Sequence, residues 1–344
     1  MVVLGCKRIE VKSFNCKGLA KRKKRRRVAR LIDRADIVLL QETHCIPETE
    51  QDWDRDFKKF KLFYSHGSSN ARGVATLIKS DLIDDSTVNV SADNEGRLLR
   101  VTIEKELCPI TCVVNIYGHN YANQMASKQE GQRLFSRAIN MVQEVKDLND
   151  NAQIIFGGDF NLPLEVDVDA DVRPTNYCPN HNYAVIEALS NQDLRDSFRE
   201  VHGDCKSFTY FATTATGRKI GRRLDYIFVS DDLTRFCNDC KHEVTHLSDH
   251  KIVSLIIEEK SRIKKFKNWR HNDDLLKDED YCREVEEHIK EAIDTEASSN
   301  VARWEFIKYS CRLICRRIEA RLRRQEKDRK TKWEDKLKAA EREC

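Results

Sequence analysis

Four short segments of the sequence place an acidic, amide or imidazole side chain at or beside the end of an apolar run. They are 38–44 (VLLQETH), 154–161 (IIFGGDFN), 222–228 (RRLDYIF) and 247–250 (LSDH). A carboxylate that closes a buried strand is costly unless it is paired or binds a cation. Each segment alone fits a structural role, but together they supply the groups that hydrolysis of a phosphodiester bond requires.

That hydrolysis needs a hard cation held by carboxylates, a base that prepares a water molecule, and a donor that stabilises developing charge. Glu42 closes one apolar run and could hold the cation. Asp159 and Asn161 fall on the same face of a strand, because side chains alternate with a period of two. Asp249 directly precedes His250. No phosphate-binding glycine loop or cysteine–histidine triad spacing indicates a different chemistry.

The elements that would hold these groups alternate between strands and helices. Strands are predicted at 9–15, 37–42, 73–78, 98–103, 111–117, 154–160, 224–229 and 251–257, and helices at 25–32, 129–148 and 183–189. Several of these strands are apolar at nearly every position, which is typical of strands buried on both faces. The pattern predicts one α/β domain over residues 1–260, with a long loop at 162–182.

The sequence changes character after residue 260. Residues 261–344 carry 23 Lys or Arg and 19 Asp or Glu, so the net charge of +4 lies in this segment. Apolar residues at helical spacing form one stripe at Trp304, Ile307, Cys311, Ile314, Ile318 and Leu322. We predict a charged helical connector over 261–344, with an amphipathic helix near 303–322 and a highly charged helix after it. That last helix is either solvated or docks on a partner.

The composition excludes several classes of protein. The chain has 344 residues, 34% of them charged, and no run approaches the ~18 apolar residues of a membrane span. Thirteen cysteines without framework spacing do not predict a secreted disulfide scaffold. Cys237 and Cys240 indicate zinc only weakly, because His242 follows too closely for a zinc finger. We expect a protein of the nucleus and cytoplasm with reduced thiols.

A basic run extends from Lys21 to Arg27. In a helix these residues spread over nearly two turns, so they cannot all face one way. One interpretation is a solvated helix start with Arg25, Arg26 and Arg30 pointing outward. The other is a phosphate-tracking patch or a nuclear localisation signal, both of which need clustered positive charge.

The segments QETH, NIYGHN, GGDFN, RLDYIF and SDH, in this order and at these intervals, resemble the endonuclease/exonuclease/phosphatase superfamily over residues 7–258. The segment SFNCKGL at 13–19 is similar to the first-strand motif of that superfamily. The sequence most resembles the endonuclease domain of non-LTR (LINE-type) retrotransposons, in which RRRV, ADIVLLQETH and GVATLI are familiar. The resemblance implies a four-layer α/β/β/α sandwich, followed by the helical connector that precedes a reverse transcriptase.

The resemblance also implies an activity. It is magnesium-dependent nicking of double-stranded DNA, with Mn²⁺ as a substitute ion, which leaves a 3′ hydroxyl that primes reverse transcription. Glu42 would be the principal magnesium ligand, with Asn15 beside it and Asp249 near the metal. Asp159 would activate or position the attacking water, and Asn161 would hold Asp159 and the phosphate.

The remaining roles concern the substrate phosphate. Tyr117 would donate to it, and His250, oriented by Asp225, would donate to a non-bridging oxygen. Ordering of the site and contacts with nucleic acid are expected from Thr209, Arg222, Arg223 and Asn120. Lys17 departs from the family, which often has a second asparagine at this position, and His119 stands where retroelement sequences often have proline. Both departures could alter target preference.

The chain has no YxDD-like polymerase motif. We therefore expect the amino-terminal part of a longer element protein, or a degenerate copy, with a downstream reverse transcriptase and its RNA as partners. Two alternatives remain open at this point. One is an abasic-site repair endonuclease, or another phosphodiesterase, of the same fold. The other is an inert domesticated relic that binds nucleic acid.

Overall fold

A computed structural model describes residues 3–120, 125–174, 179–213, 217–259 and 273–294, together with parts of 303–333. The chain divides into two compact units, Met1–Ser261 and Arg262–Cys344. All the motifs with polar strand ends lie in the first unit.

Two six-stranded sheets form the centre of the first unit. The first sheet runs β13 (Cys237–Glu243), β14 (Ile252–Glu258), β1 (Arg8–Asn15), β2 (Ile37–Gln41), β4 (Val74–Lys79) and β3 (Phe60–Ser65). The second runs β5 (Ser86–Ala92), β6 (Leu98–Lys105), β7 (Thr111–Tyr117), β8 (Gln153–Asp159), β12 (Asp225–Ser230) and β9 (Leu194–Asp196). Each sheet contains one parallel pair, β1 with β2 and β7 with β8. A separate hairpin joins β10 (Tyr210–Thr213) to β11 (Lys219–Arg222).

Helices cover the outer face of each sheet. Those on the first sheet are α1 (Arg22–Leu31) and α2 (Glu50–Asp56), and those on the second are α4 (Met125–Leu148) and α6 (Pro179–Asn191). Short helices connect strands at α3 (Ser80–Ile83), α5 (Val166–Asp169), α7 (Ser197–His202) and α8 (Asp231–Thr234). The expected loop at 162–182 therefore contains α5 and the start of α6.

The alternation of side chains along each strand produces the layers. In β2, Ile37 and Leu39 join the core between the sheets, whereas Val38 and Leu40 pack with Trp53 under α1 and α2. Strand β8 divides its side chains in the same way between the inter-sheet core and α4. These cores define helix, sheet, sheet and helix layers, which confirms the predicted sandwich.

The second unit is helical where it is described. Helix α9 (Glu279–Asp294) and the described helical residues between 303 and 322 share a small core. Tyr281, Ile314 and Ile318 are buried in it, but Trp304 at the start of the predicted apolar stripe is 58% exposed. The highly charged helix expected after Leu322 lies almost entirely outside the described residues.

The basic run differs from the expected solvated helix start. Arg25 is buried, and its guanidinium donates to Asp56 at 3.0 Å and to the carbonyl of Ala20 at 2.8 Å. The expected outward orientation of Arg25 is therefore wrong, because Asp56 on α2 and the turn before α1 enclose it. Arg26 and Arg30 are exposed, as expected.

The Cys237–Cys240 pair lies in the edge strand β13. Cys240 is buried in the core between the sheets, and the ring of His242 stacks on Phe198 with centroids 4.3 Å apart. These side chains take part in packing, which agrees with the weak indication of zinc in the sequence. No helix in the part of the chain that the structure describes is long and apolar enough to cross a bilayer.

Candidate active site

The two sheets bring the polar strand ends to one edge. Asn15 ends β1 and Glu42 follows β2, while Tyr117 and Asp159 end the parallel strands β7 and β8 in register with each other. Strand β12 runs antiparallel to β8, so its first residue, Asp225, pairs with Asp159. Residues from five sequence motifs therefore meet at a single edge of the sandwich.

Asn15 connects the two sheets through its amide group. Its Nδ2 donates to Glu42 Oε1 at 3.0 Å and to Asp159 Oδ2 at 2.8 Å. Its Oδ1 accepts the backbone N–H of Lys17 at 3.0 Å, which fixes the orientation of the amide. Asn15 thus holds two carboxylates together as a donor, and its expected role as a metal ligand stays a prediction.

Asp159, Asp225 and His250 form a buried cluster, which we call the catalytic cluster. Nδ1 of His250 lies 2.8 Å from Asp225 Oδ2, and Nε2 lies 3.9 Å from Asp159 Oδ2. Burial and the Asp225 carboxylate raise the pKa of Asp159 to about 7. Burial acts to lower the pKa of His250, but Asp225 and Asp159 outweigh it and raise that pKa to about 10. His250 is therefore a cation that points one N–H towards each carboxylate.

Glu42 occupies the more open side of the site. It is partly exposed and has a left-handed backbone with φ +50°, and its Oε1 accepts the hydroxyl of Tyr117 at 2.8 Å. Burial and the charge of Glu42 raise the pKa of Tyr117, so the phenol stays a donor. Among the described residues, Glu42 Oε2 accepts no hydrogen bond, which leaves that oxygen available to a ligand.

Asn161 and Thr209 hold the ends of β8 and β12. The backbone N–H of Asn161 donates to Asp159 Oδ1 at 2.8 Å, and its side chain donates to the carbonyl of Gly118 at 3.0 Å. Thr209 Oγ1 accepts the backbone N–H of Asp225 at 3.2 Å. Asn161 therefore fixes the Asp159 carboxylate, and Thr209 fixes the backbone of Asp225.

The three residues expected to touch nucleic acid have different surroundings. Arg223 is 1% exposed, and its guanidinium binds Asp169 at 2.7 Å and Asp196 at 2.6 Å. The expected phosphate contact at Arg223 is therefore wrong, because the side chain belongs to the interior. Arg222 is partly exposed in β11 and Asn120 is exposed after β7, and both stay predictions.

Lys17 and Asp249 form an ion pair beside Glu42. Lys17 Nζ lies 2.7 Å from Asp249 Oδ2. Ser248 Oγ, 3.3 Å from Asp249 Oδ1, also donates to the carbonyl of Asn15 at 2.8 Å. The hydrogen bond to Asp249 raises the pKa of Lys17, which stays a cation. Burial acts to raise the pKa of Asp249, but the bond from Lys17, a backbone hydrogen bond and the charge of His250 together hold that pKa below its usual value.

The available donors fit a hard divalent cation. Glu42 offers a carboxylate oxygen on the open side, and Mg²⁺ is commonly bound through one or two carboxylates while it keeps several waters. Ligand atoms of Asp159, Asp225 and His250 also lie within 4.8 Å of one another. That group needs His250 to lose a proton before its nitrogen can ligate, so Glu42 is the better candidate.

Two residues that shape the site, Arg97 and Ser248, were not among the predicted site residues. Arg97 donates to the carbonyls of Tyr117 and Gly118 at 3.2 and 3.0 Å, and its guanidinium lies 5.0 Å from the centroid of the Tyr117 ring. Ser248 ties the loop of Asp249 to the end of β1. Ser248 is part of the SDH segment and could have been found there, whereas no local pattern marks Arg97.

The chain belongs to the Endonuclease/Exonuclease/phosphatase family, which it matches over residues 12–250. It is 27% identical over 282 residues to the Transposon TX1 uncharacterized 149 kDa protein of Xenopus laevis. That alignment covers 81% of this chain and 20% of the relative, so the chain spans about a fifth of the length of the transposon protein.

Solved structures share the fold at low sequence identity. The AP endonuclease LMAP from Leishmania major has a TM-score of 0.63 and 16% identity, over 74% of this chain and 89% of that one. The APE2 catalytic domain of Xenopus laevis has 0.58 and 20%, over 73% and 92%. An AP endonuclease from Archaeoglobus fulgidus has 0.58 and 20%, over 73% and 100%. These likenesses confirm the expected fold.

Proposed function

We propose that the chain is a magnesium-dependent endonuclease that nicks double-stranded DNA and leaves a 3′ hydroxyl. The observation that carries the proposal is the Asn15 amide, which joins Glu42 on one sheet to Asp159 of the catalytic cluster on the other. The proposed cation ligand, Glu42, and the proposed base, Asp159, are thereby hydrogen-bonded to the same amide group. The proposal places the activity in residues 1–260, because every residue named for the site precedes that boundary.

The chemistry follows from the protonation states. Asp159, with a pKa of about 7, accepts a proton from the attacking water, since a base works best near the ambient pH. The water oxygen bonds to phosphorus, the bond from phosphorus to the 3′ oxygen breaks, and that oxygen takes a proton from solvent. The His250 cation stabilises the charge on a non-bridging oxygen, and Tyr117 donates to the phosphate. Magnesium, when bound, neutralises phosphoryl charge as a Lewis acid.

The likeness to the transposon protein supports a retroelement context. In that context the 3′ hydroxyl at the nick primes reverse transcription. The partners that we propose are double-stranded DNA, a downstream reverse transcriptase of the same element and the element RNA.

The experiment is nicking of a supercoiled plasmid by the full chain with magnesium or manganese, and with a chelator. We expect relaxed circles with either ion and none with the chelator, and extension of the nick by a DNA polymerase without prior end repair. Glu42→Gln should abolish nicking, and Glu48→Gln, an exposed glutamate in the next turn, serves as the matched control. Equal nicking by Glu42→Gln and the wild type contradicts the metal assignment.

Abasic-site repair is a second candidate, favoured by the AP endonucleases among the structural neighbours. The comparison is cleavage of an intact duplex and of a duplex that carries one abasic analogue. Equal or faster cleavage of the intact duplex supports the retroelement endonuclease, whereas strict dependence on the lesion assigns the chain to repair. Binding of both duplexes without cleavage of either identifies an inert relic.

A further inference from the structure

Lys17 lies in an unusual backbone conformation at the edge of the site. Its φ is +48°, in the left-handed region that glycine, asparagine and aspartate tolerate better than lysine. Its backbone N–H donates to Asn15 Oδ1 at 3.0 Å, so this conformation is part of what orients the Asn15 amide. An asparagine would satisfy the same backbone with less strain. What the lysine adds is its ammonium group.

That ammonium is directed at a single carboxylate. Lys17 Nζ lies 2.7 Å from Asp249 Oδ2, and the two side chains are 61% and 35% exposed. The other oxygen, Oδ1, is 3.3 Å from the hydroxyl of Ser248, which is itself anchored on the carbonyl of Asn15. Lys17 therefore engages Oδ2 of Asp249, and the hydrogen bond of Ser248 ties the adjacent backbone to the end of β1.

The ion pair of Lys17 and Asp249 reduces the negative charge available to a cation beside Glu42. A neutralised carboxylate attracts a divalent ion far less than a free one, and an ammonium nearby repels it. The Glu42 carboxylate also lies within the electrostatic range of Lys17. The ion would then rely mainly on Glu42 and on the substrate phosphate to complete its coordination.

We propose that Lys17 sets the metal affinity of the site by neutralising Asp249, so that Glu42 is the main anionic ligand of one weakly held divalent ion. The inference rests on the proposed function, because it takes Glu42 as the metal ligand. It assigns to Lys17 a positioning role that acts through Asp249.

The test is a titration of the full chain with Mn²⁺ in the absence of DNA. Electron paramagnetic resonance detects the Mn²⁺ that stays free and so gives the affinity. Lys17→Asn should tighten binding by about tenfold, because one nearby positive charge is lost and one carboxylate is released. Lys17→Arg keeps the charge and should bind Mn²⁺ as the wild type does. Lys17→Gly also tolerates a positive φ and gives the same result if the asparagine variant fails to fold.

Two further variants separate the possible causes. The double variant Lys17→Asn, Asp249→Asn should return to an affinity close to that of the wild type, because the released carboxylate is gone. A gain that persists in the double variant overturns the proposal, and so does an unchanged or weaker affinity in Lys17→Asn. Glu42→Gln should lose Mn²⁺ binding. If it binds as the wild type does, the metal assignment of the proposed function fails as well.

Discussion

Two buried ionic clusters of the first unit differ in how their acids and cations are combined. In the catalytic cluster, the two carboxylates of Asp159 and Asp225 share one imidazole, that of His250. Burial and the second carboxylate raise the pKa of Asp159 to about 7. Burial acts to lower the pKa of His250, but the two carboxylates raise it to about 10. Protons in this cluster can therefore move near neutral pH.

The second cluster, which we call the arginine cluster, surrounds Asp169 with cations. Asp169 accepts hydrogen bonds from Arg223 at 2.7 Å and from Arg199, and all three side chains are buried. Burial acts to raise the pKa of Asp169, but the two guanidinium groups outweigh it and hold that pKa below its usual value. This cluster stays charged at every physiological pH. We infer that the surroundings of Asp159 allow it to titrate near neutral pH, whereas those of Asp169 keep it ionised, so that it stabilises the fold.

The largest effect is expected from breaking the arginine cluster. Asp169→Asn removes the carboxylate that binds the buried Arg199 guanidinium and one of the two carboxylates that bind Arg223, and it should lower the free energy of unfolding by about 3–5 kcal/mol. Unfolding in urea measures this loss. The matched control, Asp231→Asn, breaks the surface pair with Arg195 and should cost at most about 1 kcal/mol. Similar small losses in both variants would remove the distinction between the two clusters.

In the catalytic cluster, the effect that we expect is on the rate of DNA cleavage. His250→Gln should lower the single-turnover rate of DNA cleavage by about 10²–10³-fold, because the cation that stabilises the phosphoryl charge is lost. Affinity for DNA, measured by fluorescence anisotropy, should change little because it comes mainly from contacts with backbone phosphates. A variant that cleaves at the wild-type rate shows that His250 is structural.

The stability of the metal-free protein should depend on pH through His250. Its pKa is raised from 6.5 to about 10 in the folded state, so its contribution is complete below pH 6.5 and is lost as the pH rises through 10. Between pH 8 and 9 the free energy of unfolding should fall by up to about 1.4 kcal/mol. Denaturation with a chelator present measures the slope. The slope for His250→Gln should be smaller but not zero, because burial also raises the pKa of thiols such as those of Cys16 and Cys112. An equal slope in that variant would assign the effect to other groups.

The smallest effect distinguishes two neighbouring arginines. Arg222→Ala should weaken DNA binding a few-fold and reduce the dependence on salt by about one counterion. Arg223→Ala should leave the salt dependence unchanged and lower stability, because its guanidinium lies in the arginine cluster. Titrations of DNA binding at several salt concentrations compare the two. A smaller salt slope in Arg223→Ala than in Arg222→Ala would reverse the assignment.

The sequence predicted all eight interior strands of the two sheets and none of the four edge strands. Interior strands such as β2 are buried at every position, so their apolar runs are unmistakable. The edge strands β3, β5, β9 and β13 have mixed or largely exposed patterns, because one side of each lacks a neighbour. Pairing with the sheet, which lies far away in sequence, makes them strands.

In the site, too, residues that lie close together in sequence could be predicted, whereas contacts between residues far apart in sequence could not. Residues within short motifs, such as Asp159 and Asn161, could be selected because the strand period places them together. The burial of Arg25 and Arg223 could not be foreseen, since it depends on acids 31 and 54 residues away. The contact between Lys17 and Asp249 spans 232 residues and is visible only in the folded chain.

The central claim, that the catalytic cluster hydrolyses DNA, is tested most directly by single-turnover cleavage of an end-labelled duplex by Asp159→Asn in saturating magnesium. We predict a rate lower by about 10²–10⁴-fold, since the base is lost, with DNA affinity and unfolding behaviour retained. Asp150→Asn, an exposed aspartate before β8, should cleave as the wild type does. A rate for Asp159→Asn within tenfold of the wild type would contradict the account.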